Sequence, residues 1–338
     1  MKFLMIDDEH ELYKVMMSDL FENENYNVEE IKRVCMPKCV RILHDVHYSR
    51  RVNKFFEMPA KQIWDHWYLL DKYAFDPNEK YIVLFMNGSL RNFFNENYLM
   101  RIKKKHPNVK LCLIIFDKSI YYGAKRAIKM KKCFDYVFSF DSGDCEKYGF
   151  LKFYNCFSAP KQIVKDENKK SDAFFIGNSG GRLEKLQETF EYISKFSENC
   201  KFFVTGVDKQ AQKSIPNVIY NQQMTFYEEM SYSYNSNCLI EILRDGQSGI
   251  SLRVCEAIAF NKKLLTNNES LKYEKFYDDR YMKIFKTLDD IDINFLKDKI
   301  DVKYADTDIF SPLRICDKIM EMETENEKWR SVDQQWNK

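Results

Sequence analysis

The sequence predicts two α/β domains, each a parallel sheet wound with helices. Short runs rich in Val, Ile and Phe alternate with longer amphipathic stretches along the whole chain, which is how βα units read. A polar, lysine-rich stretch at 158–172 (SAPKQIVKDENKKSD) interrupts the pattern near the middle. The length of 338 residues exceeds what one hydrophobic core usually supports. The expected division is 1–157, a linker at 158–172, a second domain at 173–311, and a closing helix and tail at 312–338.

In the first half, apolar runs place strands at 3–6, 81–86, 110–116 and 136–140, with a helix at 95–105 closed by His106-Pro107. The stretch 41–76 mixes aromatic and polar residues, including Trp64, Trp67 and Tyr68, and its periodicity assigns no element. After the linker, a strand at 173–176 meets a glycine turn at 177–181. A helix at 182–196 follows, on which Leu183, Leu186, Phe190, Ile193 and Phe196 recur at helical spacing. Further strands are expected at 201–204, 218–220, 238–242 and 263–266, with helices at 225–233 and 251–261. Ser311-Pro312 reads as an N-cap followed by proline at the first helical position, opening a last helix to about residue 323.

Composition narrows the function classes. Hydrophobic residues are 45% and charged residues 31% of the chain, the profile of a folded globular protein. Lys plus Arg (53) nearly balances Asp plus Glu (51), so no overall field favours nucleic acid. The N-terminal MKFLMIDD has too short an apolar run for a signal peptide, and no run reaches the ~18 residues of a membrane span. The ten cysteines show no C-x-x-C pair and read as reduced thiols, which points to a cytoplasmic protein. His44-x-x-His47 lacks the further ligands of a zinc site, so no metal is expected.

Two strand–loop–helix junctions in the second half have the make-up of phosphate sites. Helix N-termini at the carboxyl ends of parallel strands offer unpaired N–H groups and partial positive charge. The first junction, FFIGNSGGRLEKL, supplies Gly177, Asn178, Gly180, Gly181, Arg182 and Lys185, and describes an ordinary βα turn equally well. The second, EILRDGQSGISLRVCEAIAFNKKLLTNN, supplies Gly246, Ser248, Gly249, Ile250 and Ser251 ahead of a helix carrying Arg253 and Glu256. Those last two, three residues apart, share a helix flank. They read either as a surface ion pair or as part of a donor pocket, and spacing favours neither.

The stretch S-x-R-x-x-E-A-I-A-x-x-K-x-L-L-T over 251–266 resembles the nucleotide-sugar site of the glycosyltransferase B superfamily, and similar segments occur in bacterial capsule and lipopolysaccharide glycosyltransferases. The resemblance implies two facing Rossmann-like domains with a cleft between them. It also implies a sugar transfer from a nucleotide-sugar donor to a glycan or lipid-linked acceptor in cell-surface polysaccharide synthesis. On it, Glu256 corresponds to the glutamate that holds the ribose, Gly249, Ile250 and Ser251 to the amides at the diphosphate, and Arg182 and Lys185 to a phosphate-binding cation. Members with an E-x7-E motif carry an acid where this chain has Ser248. That departure leaves the anomeric outcome open. No metal or other cofactor is implied. A nucleotide-sugar epimerase or phosphorylase of the same fold, or a non-catalytic partner protein, are the rival readings.

An inverting transfer needs a base for the acceptor hydroxyl. Asp8, Asp117 and Asp141 stand at expected strand ends and are alternative candidates, with Asn87 and Ser89 as further ligands. Each also suits a turn or cap. The acidic Ile6-Asp7-Asp8-Glu9 looks like that of a receiver domain, but the phosphoacceptor strand expected about 45 residues later is missing. Asp290-x-Asp292 and Asp306-x-Asp308 match a D-x-D metal motif but read better as solvated turns. Lysine clusters at 103–105 and 129–132 offer peripheral contact with a membrane, or else solvated helix faces.

Overall fold

The computed structural model describes residues 1–8, 10–49, 51–53, 58–90, 93–117, 119, 122–244 and 249–336, the side chains of 122–123 and 326–336 excepted. The chain divides into two compact units. The first comprises 1–14, 18–154 and 313–338, and the second 15–17 and 155–312. The division after Tyr154 lies close to the polar stretch at 158. The last helix groups with the first unit.

In the first unit the described strands are β1 (Lys2–Ile6), β2 (Val28–Ile31), β3 (Tyr81–Met86), β4 (Val109–Ile115), β5 (Tyr136–Ser139) and β6 (Leu151–Lys152). They form one parallel sheet in the order β2-β1-β3-β4-β5-β6. The helices are α1 (Glu11–Met16), α2 (Asp19–Glu22), α3 (Lys38–Tyr48), α4 (Glu96–Lys105), α5 (Tyr122–Lys129) and α6 (Ser142–Tyr148). All six residues of β3 are buried, so both faces of the sheet are covered, as the uninterrupted YIVLFM run requires. One layer of the core is strongly aromatic, with Tyr48, Trp64, Tyr68, Phe85, Phe93, Phe94 and Tyr98 packed on β3 and β4. The unassigned stretch from 41 to 76 contains, among its described residues, most of α3 and 3-10 turns at Lys61–Trp67 and Leu70–Lys72, and contributes Tyr48, Trp64 and Tyr68 to that layer.

In the second unit the strands are β7 (Ser171–Asn178), β8 (Cys200–Thr205), β9 (Val218–Tyr220), β10 (Ser236–Glu241), β11 (Lys263–Thr266) and β12 (Met282–Ile284). Their order is β12-β11-β10-β7-β8-β9, again all parallel. Counted from β7, this is the doubly wound order of dinucleotide-binding folds. The helices α7 (Leu183–Ser194), α8 (Phe226–Asn235) and α9 (Leu252–Ala259) connect strands, and α10 (Ile293–Lys297) follows β12. Helix α8 opens with a capping box in which Thr225 and Glu228 satisfy each other's amides. The final helix, α11, runs from Leu313 to Trp336, longer than its proline start alone suggested. In the first unit it is fastened by Tyr26 to Asp317 and by Lys110 and Tyr136 to Glu323.

Candidate functional site

In an open parallel sheet, ligands collect where the strand order reverses. In the second unit that point lies between β7 and β10. The loop leaving β7 turns through Gly180 (φ 51°) and Gly181 (φ 85°), a left-handed pair that L side chains rarely adopt. Arg182 follows as the N-cap of α7. Its guanidinium donates to the carbonyl of Ile242 and, at 3.1 Å, to that of Asn178, tying the ends of β10 and β7 together. Its buried Nε meets no acceptor among the described residues. Burial, and then the neighbouring Arg244, lower the pKa of Arg182. Arg244 reaches across to Asn178 Oδ1 at 3.5 Å and fills the space a side chain on Gly180 would need. A β-carbon there would come within 2.1 Å of Arg244 Nε. Lys185 is half-buried in the first turn of α7. Gly177 and Asn178 are the last two residues of β7. Two guanidiniums thus lie beside the start of α7, where a helix leaves its first amides unpaired.

Of the second junction, Gly246 and Ser248 lie outside the described residues. Gly249 has φ 117° and is exposed, and its carbonyl accepts from Asn268 Nδ2 at 2.8 Å. On the other side of the loop, Leu243 N donates to Asn267 Oδ1 at 2.7 Å. Ile250 is half-buried. Ser251 caps α9 by accepting from Arg253 N at 3.1 Å, and its hydroxyl donates to the carboxylate of Glu241. Glu241, the last residue of β10, is buried and also accepts from Thr266 Oγ1. Burial pushes its carboxyl up while the two hydroxyls pull it down. Glu241 thus fixes the start of α9. Sequence reasoning missed it, along with Arg244 and Asn268. The one available signal was a glutamate ending the apolar run CLIE.

Arg253 and Glu256 do pair, but not on the surface. The Glu256 side chain is 1% and that of Arg253 11% exposed. Arg253 donates to Glu256, to Ser233 Oγ at 2.6 Å and to the Ile176 carbonyl at 3.3 Å, with its guanidinium 5.6 Å from the Phe174 ring. The surface-pair reading is therefore corrected: α9 buries both residues, with Arg253 reaching β7 and α8. Burial raises the Glu256 carboxyl, opposed by Arg253.

In the first unit the order reverses between β1 and β3. Asp7 accepts from Arg33 N (2.7 Å) and Nε (3.1 Å), which joins the ends of β1 and β2. Asp8 is 8% exposed. Its Oδ1 accepts from His10 N at 3.1 Å, whereas its Oδ2 meets no hydrogen-bond partner among the described residues. Burial raises its pKa, opposed by the His10 amide and by Arg33. The other two aspartates have structural employment. Asp117 accepts from Asn87 Nδ2 at 2.9 Å, while Asn87 Oδ1 accepts from Phe116 N. Asp141 is the N-cap of α6, accepting from Asp144 N at 3.0 Å. Ser89 donates to the Met86 carbonyl at 2.7 Å.

The remaining acidic motifs are caps. Asp290 accepts from Lys286 N and Thr287 N, Asp292 from Phe295 N, and Asp306 from Asp308 N. Among the described residues no three His, Cys, Asp or Glu side chains converge as metal ligands. Among the described residues no helix is long and apolar enough to cross a membrane.

No protein-family model matches the sequence, and no curated protein matches it either. Solved structures are similar at low identity. S. aureus TarM, in a complex with fondaparinux, α-GlcNAc-glycerol and UDP, is 17% identical over 65% of this chain and 47% of its own, with a TM-score of 0.39. This chain therefore spans about half the length of TarM. S. aureus MnaA bound to UDP is 10% identical over 84% of each chain, with a TM-score of 0.44. A putative UDP-N-acetylglucosamine 2-epimerase from Listeria monocytogenes is 10% identical over 79% of each chain, with a TM-score of 0.45. On its own two strand orders, the chain is built of two Rossmann-like domains.

Proposed function

We propose that the chain is a glycosyltransferase that moves a sugar from a nucleoside-diphosphate donor to a hydroxyl of a glycan or lipid-linked acceptor. The observation that carries this is the pair Arg182 and Arg244 at the strand-order reversal of the second unit, beside the helix start and the glycine turn. Two fixed cations suit a diphosphate, both bound and as it departs with the electrons of the broken anomeric C–O bond. With guanidiniums neutralising that charge, the transfer is proposed to be metal-independent. The amides of Gly249, Ile250 and Ser251 would complete the cradle. For Glu256 to hold the ribose, Arg253 would have to release it.

Asp8 is proposed as the base. Its free Oδ2 would accept the acceptor hydroxyl proton as that oxygen forms the new bond to the anomeric carbon. Cell-surface polysaccharide synthesis as the setting rests on the sequence resemblance at 251–266.

Thermal-shift titration with UDP-, GDP- and dTDP-sugars is the direct test, since a ligand at 100 times its dissociation constant adds about 2.7 kcal/mol to stability. The expected result is stabilisation by one of them, followed by release of free nucleoside diphosphate when acceptor is added, unaffected by EDTA. An altered sugar that stays attached to its nucleotide would instead show an epimerase. Binding with no turnover on any acceptor would show a non-catalytic partner.

A further inference from the structure

We propose that the outer face of α3 is a docking surface for an anionic lipid bilayer. Helix α3 is apolar on two sides. Its inner face carries Tyr48 and the fully buried His44, whose ring lies 4.7 Å from that of Tyr48, 5.2 Å from Trp64 and 5.0 Å from Phe93. The outer face, where a soluble helix is normally polar, carries Ile42 (65% exposed), Leu43 (65%) and Val46 (55%). Val46 lies four residues from Ile42 and three from Leu43, which puts these three on one stripe.

More apolar surface is fastened beside the stripe. His47 Nε2 bonds the Pro59 carbonyl at 2.9 Å, and His47 Nδ1 accepts from Trp64 Nε1 at 2.9 Å. Asn53 bonds the His47 carbonyl at 2.8 Å and accepts from Met58 N at 2.9 Å. These bonds hold Met58 and Ile63, both exposed, next to the last turn of α3.

Charge chooses the occupant. Among the described residues between 38 and 61, Lys38, Arg41, Arg51 and Lys61 are basic and Asp45 alone is acidic, a net of +3 in a chain whose total is only +2. A second copy of the same cationic surface would be repelled. A bilayer rich in anionic headgroups attracts the basic residues and takes up the aliphatic ones, the combination that seats interfacial helices. Three members of the lysine clusters first considered for this contact are paired. Lys103 pairs with Asp135 (2.8 Å), Lys105 with Asp71 (3.0 Å) and Lys132 with Glu96 (2.6 Å).

The surface also lies at the Asp8 end of the first sheet. Arg33, which holds Asp7, stacks 4.4 Å from the Phe93 ring centroid, and Arg41 of α3 lies 4.9 Å from the same centroid. Under the transferase reading, docking there would present a lipid-linked acceptor to Asp8. The docking itself does not depend on that reading.

Vesicle flotation of the full chain, without donor or acceptor, tests it with phosphatidylcholine vesicles containing or lacking about 30% phosphatidylglycerol, at ~50 mM and ~500 mM salt. The expected result is binding to the anionic vesicles that weakens severalfold in high salt yet persists. The variant Ile42→Ser/Leu43→Ser/Val46→Ser should lose at least tenfold in binding with an unchanged melting temperature, its three sites being exposed. Four results would each overturn the proposal: no binding by the wild type; equal binding by the folded variant; complete loss of wild-type binding in high salt; or a wild-type dimer that the variant converts to monomer, which would make the occupant a protein.

Discussion

Gly88 lies directly against the carboxylate of Asp8. A β-carbon at position 88 would stand 2.4 Å from Asp8 Oδ2 and 3.4 Å from the Tyr13 ring. The end of β3 thus lacks a side chain where the end of β1 carries a buried carboxyl with an unengaged oxygen.

If Asp8 is the base, Gly88→Ala shifts its carboxylate and should lower kcat by tenfold or more while leaving donor affinity unchanged. Asp8→Asn, which keeps the size, should lower kcat by about 10²–10⁴. Comparable kcat in wild type and Asp8→Asn would remove Asp8 from the reaction.

The raised pKa of Asp8 sets a pH dependence. A base must be deprotonated, so activity should rise with pH through a value above the ordinary Asp range of about 3.9. For stability, the folded state holds this proton more tightly than the unfolded one. Stability therefore falls as pH rises from about 3.9 through the raised value, and the penalty is complete above it. Asp8→Asn should melt higher than wild type at pH 7, and the difference should vanish below about pH 4. Melting curves at the two pH values check the sign.

Gly180→Ala tests the donor site indirectly. A methyl at 180 would collide with the Arg244 guanidinium, and φ 51° adds about 1–2 kcal/mol of strain. The side chain of Arg244 has to leave, so calorimetry should show a loss of nucleoside-diphosphate affinity similar to that of Arg244→Ala, about tenfold. Full affinity in a folded Gly180→Ala protein would take Arg244 out of the site.

Burial of the Arg253–Glu256 pair predicts a large cost for breaking it. Removing either partner leaves a charge stranded in the interior, worth about 3–5 kcal/mol. Arg253→Met and Glu256→Leu should each destabilise on that scale, and the double variant by much less than their sum. Denaturant midpoints measure the cycle. A surface pair would give below about 1 kcal/mol throughout.

Lys263, buried in β11, donates to the carbonyls of Phe295, Leu296 (3.3 Å) and Asp298 (2.5 Å), closing the end of α10. Lys263→Met should destabilise by about 2 kcal/mol, since it removes three hydrogen bonds from the carbonyls of Phe295, Leu296 and Asp298. Donor affinity should be unaffected, and an unchanged melting temperature would contradict the structural role.

Local signals in the sequence determined the α/β alternation and the helix starts. Thr225 with Glu228, and Ser251 ahead of Arg253, cap their helices through bonds that span three residues or fewer, so a short window of sequence contains both partners. The run YIVLFM is apolar throughout because both faces of a parallel sheet are covered. The half-polar edge strand VEEI (β2), the two-residue β6 and the short β12 lack that mark and were not legible.

Tertiary structure alone decided which residues form the sites. Asp8, Asp117 and Asp141 look alike in sequence. The strand order sets Asp8 against Gly88, 80 positions away, while Asn87 engages Asp117 and a helix start engages Asp141. Arg244 meets Gly180, and Glu241 meets Thr266, only because β10 lies beside both β7 and β11. The same packing buries Arg253 and Glu256, since a helical spacing of three fixes their shared flank but not what covers it.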